Sequence, residues 1–430
     1  MPDQLEEALS RTFSAAAEAA PERPPGLAHA VDVRFRGRRR RRYAAVAGVA
    51  AFAVIGGSAL ATGVITIPRP GPSTVGIPAA SGGATAPIAS VWPDAVRQVS
   101  GKLADGRKYR PEVMLDDHRL LVTTEASFEN ANELWVMDLD TLRATRITRL
   151  PEPHEGRELF ASSFTVGAGH VAWWDAYVGG GKPYTRIWKV PVSGGEPSLV
   201  GTVPGMYGSG GQSGDRLQIG SDRNVYWSAG LGNRSVKPAV WKLPLTGGEP
   251  RKVAGSDGYH LVNWPWIGSP AIDHSGDGFV VDGPDDPGFV AYQRLRNIMT
   301  DEVRDAVPAA KGELWSCAVV WCVNGRDDYT LARHRDGSHQ RTLPGMSSVP
   351  TEWIAYDRFV VLDDFANRGS QSIHDLQTGK HGDFGIKPVD DGAGGWTADS
   401  VGVLTLDARF IHWSLDGGKT IWILDLGAIK

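Results

Sequence analysis

The chain has 430 residues, 41% hydrophobic and 22% charged, with 53 Gly, 28 Pro, 15 Trp and two Cys. That balance excludes a disordered, collagenous or disulfide-dense protein. The net charge of −4 conceals three unlike stretches: residues 1–42 hold nine Arg against six acids, residues 43–67 hold no charge, and residues 68–430 hold 36 bases against 43 acids.

Residues 3–20 place Leu5, Leu9 and Phe13 at helical spacing on one face, and Pro21 ends the pattern. This predicts a short amphipathic helix within a 42-residue tail that has no room for a core. Its stripe is either a marginal, solvated leader or a docking face for a cytoplasmic partner. Seven arginines follow, Arg34, Arg36, Arg38, Arg39, Arg40, Arg41 and Arg42, directly before the uncharged run Tyr43 to Ile67. At about 1.5 Å per residue that run exceeds a hydrocarbon core of about 30 Å, which predicts a transmembrane helix over 43–67. The arginine cluster sets the N-terminus in the cytoplasm and residues 68–430 outside it. Ala59-Leu60-Ala61 keeps a signal peptide cleaved after Ala61 as the alternative, against which stand the long preceding segment and the length of the apolar run.

The leader LEEALSRTFSAAAEAAPERPPGLAHAVDVRFRGRRRRR, followed by a span, resembles those of actinobacterial membrane proteins encoded beside extracytoplasmic-function sigma factors. The resemblance covers about a tenth of the chain and implies a sigma factor as cytoplasmic partner. The tail lacks the zinc motif of zinc-binding anti-sigma factors, having one His, His29, and no Cys.

Residues 68–93, rich in Pro, Gly and Ala, predict a semi-extended linker, leaving 94–430 as the extracytoplasmic domain. That domain is built from repeats. Ile187-Trp-Lys-Val-Pro-Val-Ser-Gly-Gly-Glu-Pro197 and Val240-Trp-Lys-Leu-Pro-Leu-Thr-Gly-Gly-Glu-Pro250 are near copies, with related units at Leu134, Ala291, Tyr329, Ser372 and Ile421. Each unit alternates apolar and polar residues, turns at Gly or Asp and continues into another short strand. Further strands are predicted upstream at His170, Asn224, Gly278 and Arg358.

This period predicts an all-β fold, a seven-bladed β-propeller of four-stranded blades, with six and eight blades as the neighbouring alternatives. The last unit ends after its third strand, so residues 95–103 are expected to supply the fourth and close the ring. The unit Leu134-Trp-Val-Met-Asp-Leu-Asp-Thr-Leu-Arg-Ala-Thr-Arg-Ile-Thr148 resembles that of TolB-like and WD-repeat propellers, a likeness that speaks to architecture and not to activity.

Cys317 and Cys322 lie outside the cytoplasm on this topology, and a disulfide across a hairpin turning at Ala318 to Trp321 is expected, with buried thiols as the alternative. Trp135, Trp188, Trp241 and Trp422 share one place in the repeat and are expected to pack between blades. Trp264 and Trp266, in Asn-Trp-Pro-Trp, break the pattern and are either a ligand-stacking loop or core-edge packing. No metal, cofactor or catalytic motif is legible. The expectation is a membrane-tethered protein whose propeller binds an envelope ligand or protein, with a propeller enzyme (hydrolase or lyase) and a passive scaffold as alternatives. The acidic domain argues against nucleic-acid binding.

Overall fold

The computed structural model describes residues 85–430, apart from 128–129, 152–158, 180–181, 205–216, 230–237, 271–287, 326–328, 346–353, 365–369, 387–388, 391–395, 398–400 and 402–407. The expected tail helix, arginine cluster and membrane span lie outside the described residues. Among the described residues no helix is long and apolar enough to cross a membrane.

The strands form seven blades. The first runs Tyr109–Met114, Arg119–Ser127, Asn130–Asp138 and Ala144–Arg149, each strand antiparallel to the last. The second is Leu159–Gly167, His170–Gly179, Lys182–Pro191 and Ser198–Pro204, and the third is Gln218–Ile219, Asn224–Ala229, Ala239–Pro244 and Arg251–Lys252. The fourth is His260–Asn263, Trp266–Ser269, Arg294–Asn297 and Val303–Asp305. The fifth comprises Leu314–Cys317, Trp321–Gly325, Tyr329–His334 and Arg341–Pro344, and the sixth Ile354–Ala355, Phe359–Asp364, Ser370–Asp375 and His381–Asp383.

The seventh blade joins both ends of the domain. Phe410–Trp413 and Thr420–Asp425 pair with each other, and Val96–Ser100 lies antiparallel to Thr420–Asp425, with Val96 opposite Leu424 and Ser100 opposite Thr420. The ring is therefore closed by the strand the repeat count required, a shorter one than 95–103: Gly101 onward leaves the sheet and turns into the first blade.

Both faces of a blade are packed, so neighbouring residues of one strand are apolar in opposite directions. Leu120 and Val122 join Ile421 and Ile423 of the seventh blade, whereas Leu121 and Leu134 join Val171 and Trp173 of the second. Trp135, Trp188 and Trp241 each pack, half-buried, against the cluster shared with the preceding blade, and Trp422 against the cluster shared with the sixth. The copied Gly-Gly turns have a backbone cause: Gly194 and Gly195 sit at φ of 95° and 136°, and Gly247 and Gly248 at 90° and 128°. Side chains rarely adopt those values.

Two features depart from the repeat pattern. In the fourth blade the expected strand at Gly278 lies outside the described residues, and Trp266–Ser269 pairs with Arg294–Asn297 instead. The connection between them returns as Phe289–Ala291, which lies parallel to Leu314–Cys317 on the axis side of the fifth blade. The unit expected at Ala291 thus belongs partly to that inserted strand, and the repeat's third strand begins at Arg294.

The second departure concerns the linker. It was expected to run to Pro93, yet Ile88–Val91 forms a short helix, α1, whose Ile88 is buried with Trp92 in the cluster between the sixth and seventh blades. Ala86 accepts a bond from the Asp383 N–H, joining this segment to the sixth blade's outermost strand. A Cβ on Gly382 would stand 2.9 Å from Ile88 Cγ1, so glycine there lets the helix seat. A Pro- and Ala-rich composition hid three apolar residues, Ile88, Val91 and Trp92, whose burial needs the blades as partner.

Candidate functional site

The turns joining first to second and third to fourth strands lie at one end of the ring and are short. The other connections start and finish at the opposite end, the longest of them joining Pro204 to Gln218 and Ser269 to Arg294. At that loop-bearing end the first blade's innermost strand, whose free edge borders the central channel, carries a charged network. Pro111 pairs with Val122 and Val113 with Leu121, so Glu112 is an extra, bulged residue. A bulge re-aims its side chain out of the strand's alternation.

The Glu112 carboxylate accepts 2.7 Å bonds from Arg110 Nε and Thr123 Oγ1. Arg110 Nη1 also donates to Glu125 at 3.3 Å. Thr123 is fully buried and the Glu112 side chain is 13% exposed. Burial pushes the Glu112 carboxyl up, against the pull of Arg110. His412, on the seventh blade, is pushed down to about 4 by burial and by the charge of Arg110. The site therefore gathers one guanidinium, two glutamate carboxyls and an imidazole that burial keeps neutral at pH 7.

Chemically, this arrangement suits polar recognition at a channel edge. Arg110 and Thr123 both donate to Oε1 of Glu112, which fixes the carboxyl's orientation and directs Oε2 to a ligand. Sequence reasoning missed these residues because no short motif joins positions 110, 112, 123, 125 and 412. One signal was present: Pro111, since proline inside a strand marks an edge or a bulge.

The residues singled out in the sequence fall elsewhere. Cys317 and Cys322 stand opposite each other on the fifth blade's first two strands and are joined by a disulfide, the hairpin turning through Ala318, whose N–H donates to the Trp321 carbonyl. Trp266 is buried in the fourth blade with Arg304 stacked 4.5 Å from its ring. Trp264 packs at 6.4 Å against Tyr226 of the third blade, and its backbone N–H donates to Gln218 Oε1. Both rings thus lie within packed contacts, the core-edge arrangement. Among the described residues no group of three or more His, Cys, Asp or Glu is placed to hold a metal ion.

No protein-family model matches the chain, and no curated protein matches it. Solved structures do. Prolyl endopeptidases align at 12% identity and a TM-score of 0.40, covering 71% of this chain and 46% of theirs, so the chain spans under half their length. A putative TolB from Agrobacterium tumefaciens aligns at 14% identity and a TM-score of 0.30, covering 58% of this chain and 86% of its own. The WD40 domain of SCAP from fission yeast aligns at 7% identity and a TM-score of 0.35, covering 74% and 81%. None of these likenesses bears on activity; the seven-bladed propeller stands on strand order and register.

Proposed function

We propose that the chain is a membrane-tethered binding protein whose propeller takes a ligand or protein partner at its loop-bearing end, around the channel mouth. The observation that carries this reading is the bulged Glu112 with Arg110, Thr123 and Glu125 on a channel-bordering strand. A strand selected only for closure of the ring has no need of a charged residue there, since burying charge is costly. The tether rests on the sequence alone: the 43–67 run and its arginines. The tail's apolar stripe, Leu5, Leu9 and Phe13, supports docking to a cytoplasmic regulator such as a sigma factor.

Co-purification of the full chain tests both halves. Replacing Arg110 and Glu125 with Ala should remove an envelope partner or ligand, and deleting residues 1–33 should remove a cytoplasmic one. Partner lists identical to the wild type in both variants would overturn the reading. A propeller hydrolase is the second reading, favoured by the two glutamates held on Arg110, whose charge reaches His412. It requires Oε2 of Glu112 to act on the substrate, so turnover of an ester or peptide must disappear in Glu112→Gln.

A further inference from the structure

The first and second blades repeat one constellation with different charge. Trp135 and Trp188 each donate an indole N–H to a carboxylate at 3.1 Å, Glu133 and Asp175. A guanidinium stacks on each ring, Arg107 at 4.8 Å and Arg186 at 5.3 Å. In both blades the outermost strand is bulged beside the Trp, at Ile147 and at Val200. In the second blade Arg186 grips Asp175 through Nε at 2.7 Å and Nη2 at 2.8 Å. The residue facing Trp188 there is Leu199, and the one facing Arg186 is Thr202; neither is charged.

In the first blade the equivalent places hold Arg146, opposite Trp135, and Arg149, opposite Glu133. Residues three apart on a regular strand face opposite ways, and the bulge at Ile147 brings these two onto one face. Glu133 receives Arg107 Nη1 at 2.5 Å, Arg146 Nη1 at 2.9 Å and Arg149 Nε at 3.5 Å. Arg107 also donates to Asp105, from Nε at 2.9 Å and Nη2 at 2.6 Å, which leaves one hydrogen on each Nη. Three guanidiniums thus share two carboxylates, and the surplus charge rests on Arg146 and Arg149, whose side chains are 46% and 77% exposed. Lys102 and Lys108, exposed in the adjoining loop, form no ion pair among the described residues.

The second blade folds around the same Trp without these arginines, so packing does not require them. We propose that Arg107, Arg146 and Arg149 form a binding site for a phosphate group. Guanidiniums match phosphate oxygens in fork geometry, and Glu133, 9% exposed, holds the three in register before a ligand arrives. The surplus positive charge favours a dianion or a phosphodiester over a neutral ligand. This site is separate from the Glu112 network and does not depend on it.

Titration calorimetry on the full chain, with inorganic phosphate in one arm and the soluble head group glycerophosphoglycerol in the other, tests the proposal. Saturable binding is expected in at least one arm, weakening with added salt. Tighter binding of inorganic phosphate identifies a free ion as ligand, and tighter binding of the diester a lipid head group. R146Q/R149Q should weaken it at least tenfold with an unchanged melting temperature, whereas R251Q, on the third blade's exposed outermost strand, should not. No saturable binding in either arm, or equal binding by R146Q/R149Q, would overturn the proposal and leave these arginines as guards of an edge strand.

Discussion

The two ends of the ring are built differently. At the short-turn end, side chains close the structure on itself: Arg358 grips Asp375 at 2.7 and 2.6 Å and also donates to the Ile429 carbonyl, tying the chain's last residues to the sixth blade. Arg409 does the same for Asp425 in the seventh. In the fifth, Arg335 is buried and donates to the carbonyls of Ala318, Tyr292, Gln293 and Arg304, stitching it to the fourth. At the loop-bearing end, bulges aim Glu112 and Arg146 out of the sheet pattern. One end spends its charged groups on blade-to-blade order, and the other holds them in clusters that the neighbouring blades do without.

That contrast makes substitutions at the two ends separable. The largest effect is expected from Arg358→Ala, which leaves the fully buried Asp375 carboxylate without its cation; a loss of about 3–5 kcal/mol follows, read by urea denaturation, with no change in ligand or partner binding. A loss comparable to that of an exposed pair would show that the short-turn end is not what holds the ring.

Replacing Cys317 and Cys322 together with Ser should cost about 2 kcal/mol, because the bond closes a short loop. The same denaturation series under reducing conditions should bring the wild type to the variant's midpoint.

Glu112→Gln keeps shape and exchanges for an amide the carboxyl to which Arg110 and Thr123 donate, so about 1 kcal/mol of stability is at stake, while binding at the channel mouth should fall well beyond that. Equal loss of stability and binding would reduce Glu112 to a structural part.

The acid response separates the ends by cause. His374, stacked 4.9 Å from His381 on the sixth blade, is pushed down to about 3 by burial and then by that neighbour. His412 is pushed down to about 4 by burial and by Arg110. Both are lower than an unfolded His at about 6.5, so each contributes stability that is complete above that pH and declines as pH falls toward the folded value. Melting temperature between pH 7 and pH 4 should therefore fall, and less so in His374→Gln. Arg110→Gln should raise the imidazole titration of His412 seen by NMR and leave that of His374 in place.

Much of the architecture was legible because a propeller repeats a local pattern. Four of the third strands, those holding Trp135, Trp188, Trp241 and Trp422, match Trp-centred units in the sequence, and the absent fourth strand of the last blade pointed to residues near 96. The miscast linker at Ile88 and the inserted strand Phe289–Ala291 were not legible, because each is defined by a distant partner and neither repeats. The charged clusters escaped for the same reason: Glu112 meets Thr123 across a strand pair, and Arg107 reaches Glu133 from the connection that enters the first blade.

The sequence by itself determined the repeat and the order of charge along the chain, since these depend on local alternation and turn chemistry, and the strand pairing fixed the blades at seven. Only the tertiary structure decided which charges gather. Bulges at Glu112 and Ile147 and closure of the ring between Val96 and Leu424 bring together residues that lie far apart in the chain.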